Sequence, residues 1–191
     1  MSLLDLNTAE ASSGAGDLIP ENTVARAILT LRPGGAGEGG WLKQAKTGAL
    51  MIDAEWTITT APYAKRKVWR NMMMTGNETA VGISMRQLRA AIEGHYGIKP
   101  DDMSEAAQAK RRATFEQLNG IEACILIGVE AQPGYEARNT IKAVLAPGES
   151  KFIAAGAAPA AVPAMASAPS FAAPPQAKAA AATANKPAWA Q

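Results

Sequence analysis

The chain has 191 residues, one Cys, one His and a formal net charge of +2. The lone Cys124 excludes an intramolecular disulfide and any multi-cysteine zinc site, and the lone His95 excludes paired-histidine metal motifs, so neither a metalloenzyme nor a cofactor is expected. The total charge conceals a split. Residues 151–191 hold 19 Ala and 6 Pro with Lys151, Lys178 and Lys186 and no acid, whereas residues 1–150 carry 16 basic against 17 acidic side chains.

Three regions follow from that composition. Residues 1–20 form an irregular leader, with Leu3, Leu4 and Leu6 expected to dock on the core. Residues 21–150 are a folded domain, and residues 151–191 an Ala/Pro-rich tail expected to be a disordered spacer. The opening MSLLDLNTAE lacks the basic-then-apolar pattern of a secretory signal, and no run of 18 apolar residues occurs. A cytoplasmic protein without membrane contact is the expectation.

In chain order, segment 22–32 is a strand with Ala25, Ala27, Leu29 and Leu31 on one face. Residues 33–40 (PGGAGEGG) carry five glycines and predict a flexible loop. Segment 48–60 has the clearest alternation: Leu50, Ile52, Ala54, Trp56 and Ile58 face inward, and Met51, Asp53, Glu55, Thr57 and Thr59 outward. In segment 66–74, Val68, Met72 and Met74 share one face, and Lys67, Trp69 and Asn71 the other. Residues 83–96 predict a helix capped by Ser84 with Gln87, closed by Gly94 or Gly97. Residues 102–119 predict a second helix, capped by Asp102, with a thin apolar stripe of Met103, Ala106, Phe115 and Leu118. Segments 121–130 and 135–145 complete the strands. The last has Tyr135, Ala137, Ile141, Ala143 and Leu145 inward, and Glu136, Arg138, Thr140 and Lys142 outward.

The fold class is therefore mainly β with helices. Five antiparallel strands with a helical insertion between strands 3 and 4 predict a five-stranded OB-fold-like barrel.

Over roughly residues 18–150, the stretches LIPENTVARAIL, LKQAKTGALMIDAEWTI, PYAKRKVWRNMMMTG, GISMRQLRAAIEGHYGI and LNGIEACILIGVE with YEARNTIKAVLAP resemble a phage-encoded family of single-stranded-DNA-binding-like proteins. Members sit in replication and recombination modules and have an OB-like fold. The resemblance implies a non-enzymatic protein that coats single-stranded DNA in the host cytoplasm. It also implies that the outer barrel face and the loop between the first two strands hold the nucleic acid. Many such proteins end in an acidic, aromatic-tipped tail that recruits replication or recombination proteins. This tail has no acid and ends Pro187-Ala188-Trp189-Ala190-Gln191. A docking role for its last residues, or for a homo-oligomer, is compatible with the sequence.

The chemistry of such a role needs cations for phosphates and aromatic faces for bases. Tyr63, Lys65, Arg66, Lys67, Trp69 and Arg70 supply both in one segment. The competing explanation is an edge strand protected by charge. Trp41, Lys43 and Lys46 could wrap a strand from the glycine loop, unless Trp41 merely anchors it. Arg138 and Lys142, with Arg26 and Arg32, could extend a basic groove, although Asp53, Glu55, Glu122 and Glu130 share the outer surface. Arg86, Arg89, Lys110, Arg111 and Arg112 are expected on solvated helix faces. Trp56 belongs to the core. Gly40 to Thr47 approximates a phosphate loop, but Ala45 replaces its second glycine and a strand follows. His95 and Cys124 suggest no nucleophile pair. An OB-like adaptor for a recombinase or replication protein, with little DNA binding, is the alternative function.

Overall fold

Each segment with period-2 alternation is a strand in the computed structural model, which describes residues 17–156. Leu3, Leu4, Leu6, Lys178, Lys186 and Trp189 lie outside the described residues. The long strands are β1 (Val24–Arg32), β3 (Leu50–Ile58), β4 (Lys67–Met73), β5 (Glu122–Glu130) and β6 (Arg138–Leu145). Between β1 and β3 lies β2 (Lys43–Gln44), two residues long and too short to show a period. The glycine loop is folded. It makes a 3-10 turn at Glu38–Gly40 and a bridge between Ala36 and Leu42. Gly35, Gly37, Gly39 and Gly40 all have positive φ, which explains why the segment is glycine-rich.

All pairings are antiparallel, in the order β2-β3-β1-β5-β6, with β4 also on β3. Both β4 and β1 are antiparallel to β3, and both β6 and β1 to β5. Consequently β4 and β6 run parallel to each other. No ladder joins them among the described residues, so the six-stranded sheet is open along that seam. Its inner faces nevertheless share one core. Leu29, Ile52, Trp56, Val68, Ile125 and Ile141, from all five long strands, pack in one buried cluster with Leu88, Ala91 and Ile92 of the helix described next.

Helix α1 runs from Glu78 to Tyr96, five residues earlier than expected. Asn77, rather than Ser84, caps it by accepting the Ala80 N–H at 3.0 Å. Ser84 lies inside the helix and donates to the Ala80 carbonyl at 2.9 Å. Gly97 ends it in the left-handed region, at φ 67°. The expected second helix is two short ones, α2 (Glu105–Arg111) capped by Ser104 and α3 (Phe115–Leu118) capped by Thr114. Asp102 instead accepts the Ser104 N–H, and Ala107 rather than Ala106 is buried.

Strand β6 contains a bulge. Ile127 pairs with Ile141 but Leu126 with Ala143, leaving Lys142 as the extra residue. The buried face shifts accordingly, from Ile141 to Val144. Tyr135, expected inward, precedes the strand and is exposed.

Among the described residues, two charged side chains are buried. Glu93 of α1 accepts from Arg89 and Arg111, both at 2.7 Å. Arg111 also donates to the Asp102 and Lys99 carbonyls, fastening α2 and the 99–102 turn to α1. Arg111 is thus tied down rather than solvated, whereas Arg89 is bonded but remains half exposed. Removing one partner of the buried Arg111–Glu93 pair costs about 3–5 kcal/mol. Arg26, expected on an outer basic face, is 2 % exposed. Its guanidinium bonds Glu122 at 3.0 Å and the Ile153 carbonyl at 3.3 Å. The 149–153 segment thereby straps the outer side of β1 and β5, where the Ile153 N–H also meets Cys124 Sγ at 3.3 Å. No helix among the described residues is long and apolar enough to cross a membrane.

Candidate functional site

The open seam is also a groove. A cavity of about 630 Å³ lies between β4 and β6, lined on one side by Arg66, Lys67, Trp69, Arg70 and Asn71, and on the other by Glu130 and Ala137–Thr140, with Leu18. Five of the eleven residues singled out from the sequence meet there: Arg66, Lys67, Trp69, Arg70 and Arg138. Four cations face one carboxylate within the lining.

Trp69 is the exposed aromatic of the site, at 50 %. Period-2 geometry turns it outward with Lys67, opposite the buried Val68. Its indole N–H donates to Glu55 Oε2 at 3.1 Å, and Lys67 Nζ lies 2.7 Å from Glu55 Oε1. The Lys67 hydrogen bond, with help from Trp69, holds the Glu55 carboxyl below the usual glutamate range against a contrary push from burial.

Arg70 has a different task. Its parity aims it inward, but at the seam it reaches across and donates to the Ile141 carbonyl of β6. It staples together two edges that no ladder joins. Burial lowers its pKa, and the Glu130 charge opposes that. Arg66 donates to the Asp17 carbonyl at 2.6 Å and lies 5.9 Å from the centre of the Tyr63 ring, which packs on the core. Arg138 pairs with Glu130 directly across the β5–β6 ladder, at 3.0 Å. The Gln132 amide and Arg138 keep the Glu130 carboxyl low.

The mixed outer surface thus resolves into cross-strand ion pairs: Lys67–Glu55, Arg138–Glu130 and Lys43–Asp53, the last at 3.6 Å. Such neighbours contribute roughly 0.2–1 kcal/mol each. Sequence alternation gives their face but not their pairing, which depends on register.

The remaining candidates lie outside the groove lining. Trp41 anchors its loop: the indole donates to Glu116 Oε1 at 2.8 Å on α3. It lines a second cavity, of about 550 Å³, with Met74, Met85, Leu88, Ile92 and Phe115. That hydrogen bond, after the Glu116 backbone N–H, holds the Glu116 carboxyl low. Lys43 is paired, and Lys46 is exposed in the turn before β3. Lys65 is exposed at φ 70°. Lys142 bonds Glu21 at 3.2 Å and Asn22 at 3.0 Å. His95 Nδ1 accepts the Glu122 N–H at 3.3 Å. Groove residues missed from the sequence are Leu18, Asn71, Ala137, Asn139 and Thr140. Asn71 and Thr140 sit on outward positions, but only the strand order reveals that β4 and β6 face each other. Among the described residues, no three of His, Cys, Asp and Glu gather as a metal site.

Compared with protein families and with curated proteins, the sequence matches no family model and none of those proteins.

Proposed function

We propose that the protein binds single-stranded DNA, as a phage-type replication or recombination protein, by laying the strand along the groove between β4 and β6. The observation that carries this reading is the convergence of the half-exposed Trp69 with Arg66, Lys67, Arg70 and Arg138 in one groove. Cations track the phosphates and the indole face takes a base, so binding is sequence-tolerant. The strand order supports an OB-type barrel for the same region. The five long strands run β4-β3-β1-β5-β6 across the sheet, α1 follows β4, the third of them along the chain, and the core is shared by both ends of the sheet. No catalytic step is assigned.

Charge pairing sets the expected strength. Lys67 and Arg138 are engaged by carboxylates, whereas Arg66 and Arg70 donate to carbonyls. The slope of log K against log salt is therefore expected between about −1.4, for two free cations, and about −2.8, for four. Fluorescence anisotropy with labelled oligo-dT at two salt concentrations measures both affinity and slope. Absence of salt-dependent binding at protein concentrations of about 100 μM, the weak end of non-specific affinities, refutes the proposal.

The second reading is an adaptor that docks a recombinase or replication protein. It is favoured by the apolar 550 Å³ cavity around Trp41, Met85 and Phe115, distant in role from the groove cations. The same titration separates the two, since an adaptor leaves the oligonucleotide free.

A further inference from the structure

The chain enters the fold at the mouth of the groove. Leu18 lines it, and the Asp17 carbonyl is held by Arg66. The buried Ile19 is fixed by Asn139, whose side chain accepts its N–H at 2.9 Å and donates to its carbonyl at 2.8 Å. Residue 17 is thus pinned between β4 and β6. The sixteen residues before it contain Leu3, Leu4, Leu6, Asp5 and Glu10, and no Lys, Arg or His. An acidic, leucine-bearing segment is tethered at the entrance of a groove with four cations, an exposed indole and two parallel strand edges without a ladder between them.

We propose that residues 3–10 (LLDLNTAE) occupy this groove in the free protein and compete with nucleic acid for it. This rests on the function proposed above. Asp5 and Glu10 stand in for phosphates at the groove cations, and the leucines cover the Trp69 face that would take a base. An extended segment laid along the seam, which Arg70 already bridges at Ile141, can bond to backbone groups of the open β4 edge and cover those of β6. Reach is sufficient. Eight extended residues cover about 26 Å, and the Lys67–Asn71 edge is about 16 Å long. The six residues 11–16 (ASSGAG) give at most about 20 Å for the turn back. Tethering raises the local concentration to the millimolar range, so even weak docking fills the groove. Charge selects the leader over the other terminal region, since residues 151–191 carry three lysines and no acid.

Hydrogen exchange in the absence of nucleic acid tests the docking directly. The amides of Lys67–Asn71 and Arg138–Thr140 are followed in the full chain, in a variant lacking residues 2–10, and in full-length Asp5→Asn/Glu10→Gln. Faster exchange at both edges in the two variants is the expected result. Oligo-dT affinity should rise in parallel, by about tenfold if the leader fills nine grooves in ten. Unchanged exchange in both variants overturns the proposal, whatever the oligonucleotide does. Faster exchange with no oligonucleotide bound to any form upholds the docking and removes the nucleic-acid reading instead.

Discussion

Glu55 is a groove neighbour whose removal should improve binding. Its carboxylate lies between Lys67, at 2.7 Å, and the Trp69 indole N–H, at 3.1 Å. Lys67 keeps it ionised below the usual glutamate range, so it is an anion at neutral pH. Any phosphate resting on Lys67 or beside Trp69 must approach that anion. Glu55→Gln removes the charge and retains an oxygen for the indole. Two like charges about 6 Å apart in water repel by about 0.7 kcal/mol, a factor of roughly three. Lys67 is half exposed and the Glu55 carboxylate mostly covered; freeing Lys67 from this cross-strand pair adds a comparable amount, since such neighbours contribute about 0.2–1 kcal/mol. Oligo-dT affinity should therefore rise about three- to tenfold, with folding stability reduced by no more than about 1 kcal/mol. The salt slope should steepen by about 0.7, as one more cation displaces a counterion. Anisotropy titrations at several salt concentrations, beside urea unfolding, check both. A folded Glu55→Gln protein with parental affinity and slope would refute the reasoning, because phosphates would then pass elsewhere.

Three other outcomes are expected. Trp69→Ala should weaken oligo-dT binding by about 1–3 kcal/mol, or 5- to 150-fold, while Trp69→Phe keeps a stacking face and most of the affinity; equal binding by all three proteins counts against base stacking there. Arg70→Met should destabilise the fold by about 1.5–3 kcal/mol in urea unfolding, since it removes a charged donor from the Ile141 carbonyl; an unchanged midpoint would show that the seam holds without it. The depressed Glu116 carboxyl predicts that the Trp41 contact is complete above the ordinary glutamate pKa and is lost only as pH falls through the lower, folded value. Acid titration of indole fluorescence in a protein with Trp69→Phe should show that transition below about pH 4.3, and a midpoint above it would contradict the assignment.

Strand positions were legible because the inner face of a half-buried strand must alternate. Ile52, Ala54, Trp56 and Ile58 show it without interruption, and all are buried. What alternation cannot carry is register. The bulge at Lys142 flips the buried face within one strand, and the consecutive apolar Ala143, Val144 and Leu145 were its only trace. Helix starts were misplaced for a related reason. The first turn of α1, Glu78–Val81, contributes nothing to the buried core, so the apolar period begins after the helix does. The Thr114–Gln117 capping box was present in the sequence and would have divided the second helix. For the site, the chemistry of Lys67 and Trp69 was visible, but their partner strand was not. β6 reaches β4 only through the order of strands between them, and the carboxylates that restrain the cations come from neighbouring strands.

The strap over β1 and β5 has a consequence for how local motion can be watched. Cys124 is the only cysteine in the chain and is buried beneath Ile153. Burial pushes its thiol pKa up, despite the Ile153 N–H, so it is poorly nucleophilic where it lies. A thiol reagent can modify it only after residues 149–153 lift away or the fold opens. Its alkylation rate under native conditions is then a built-in clock for the opening of that segment, with no label to introduce and no second thiol to confuse the signal.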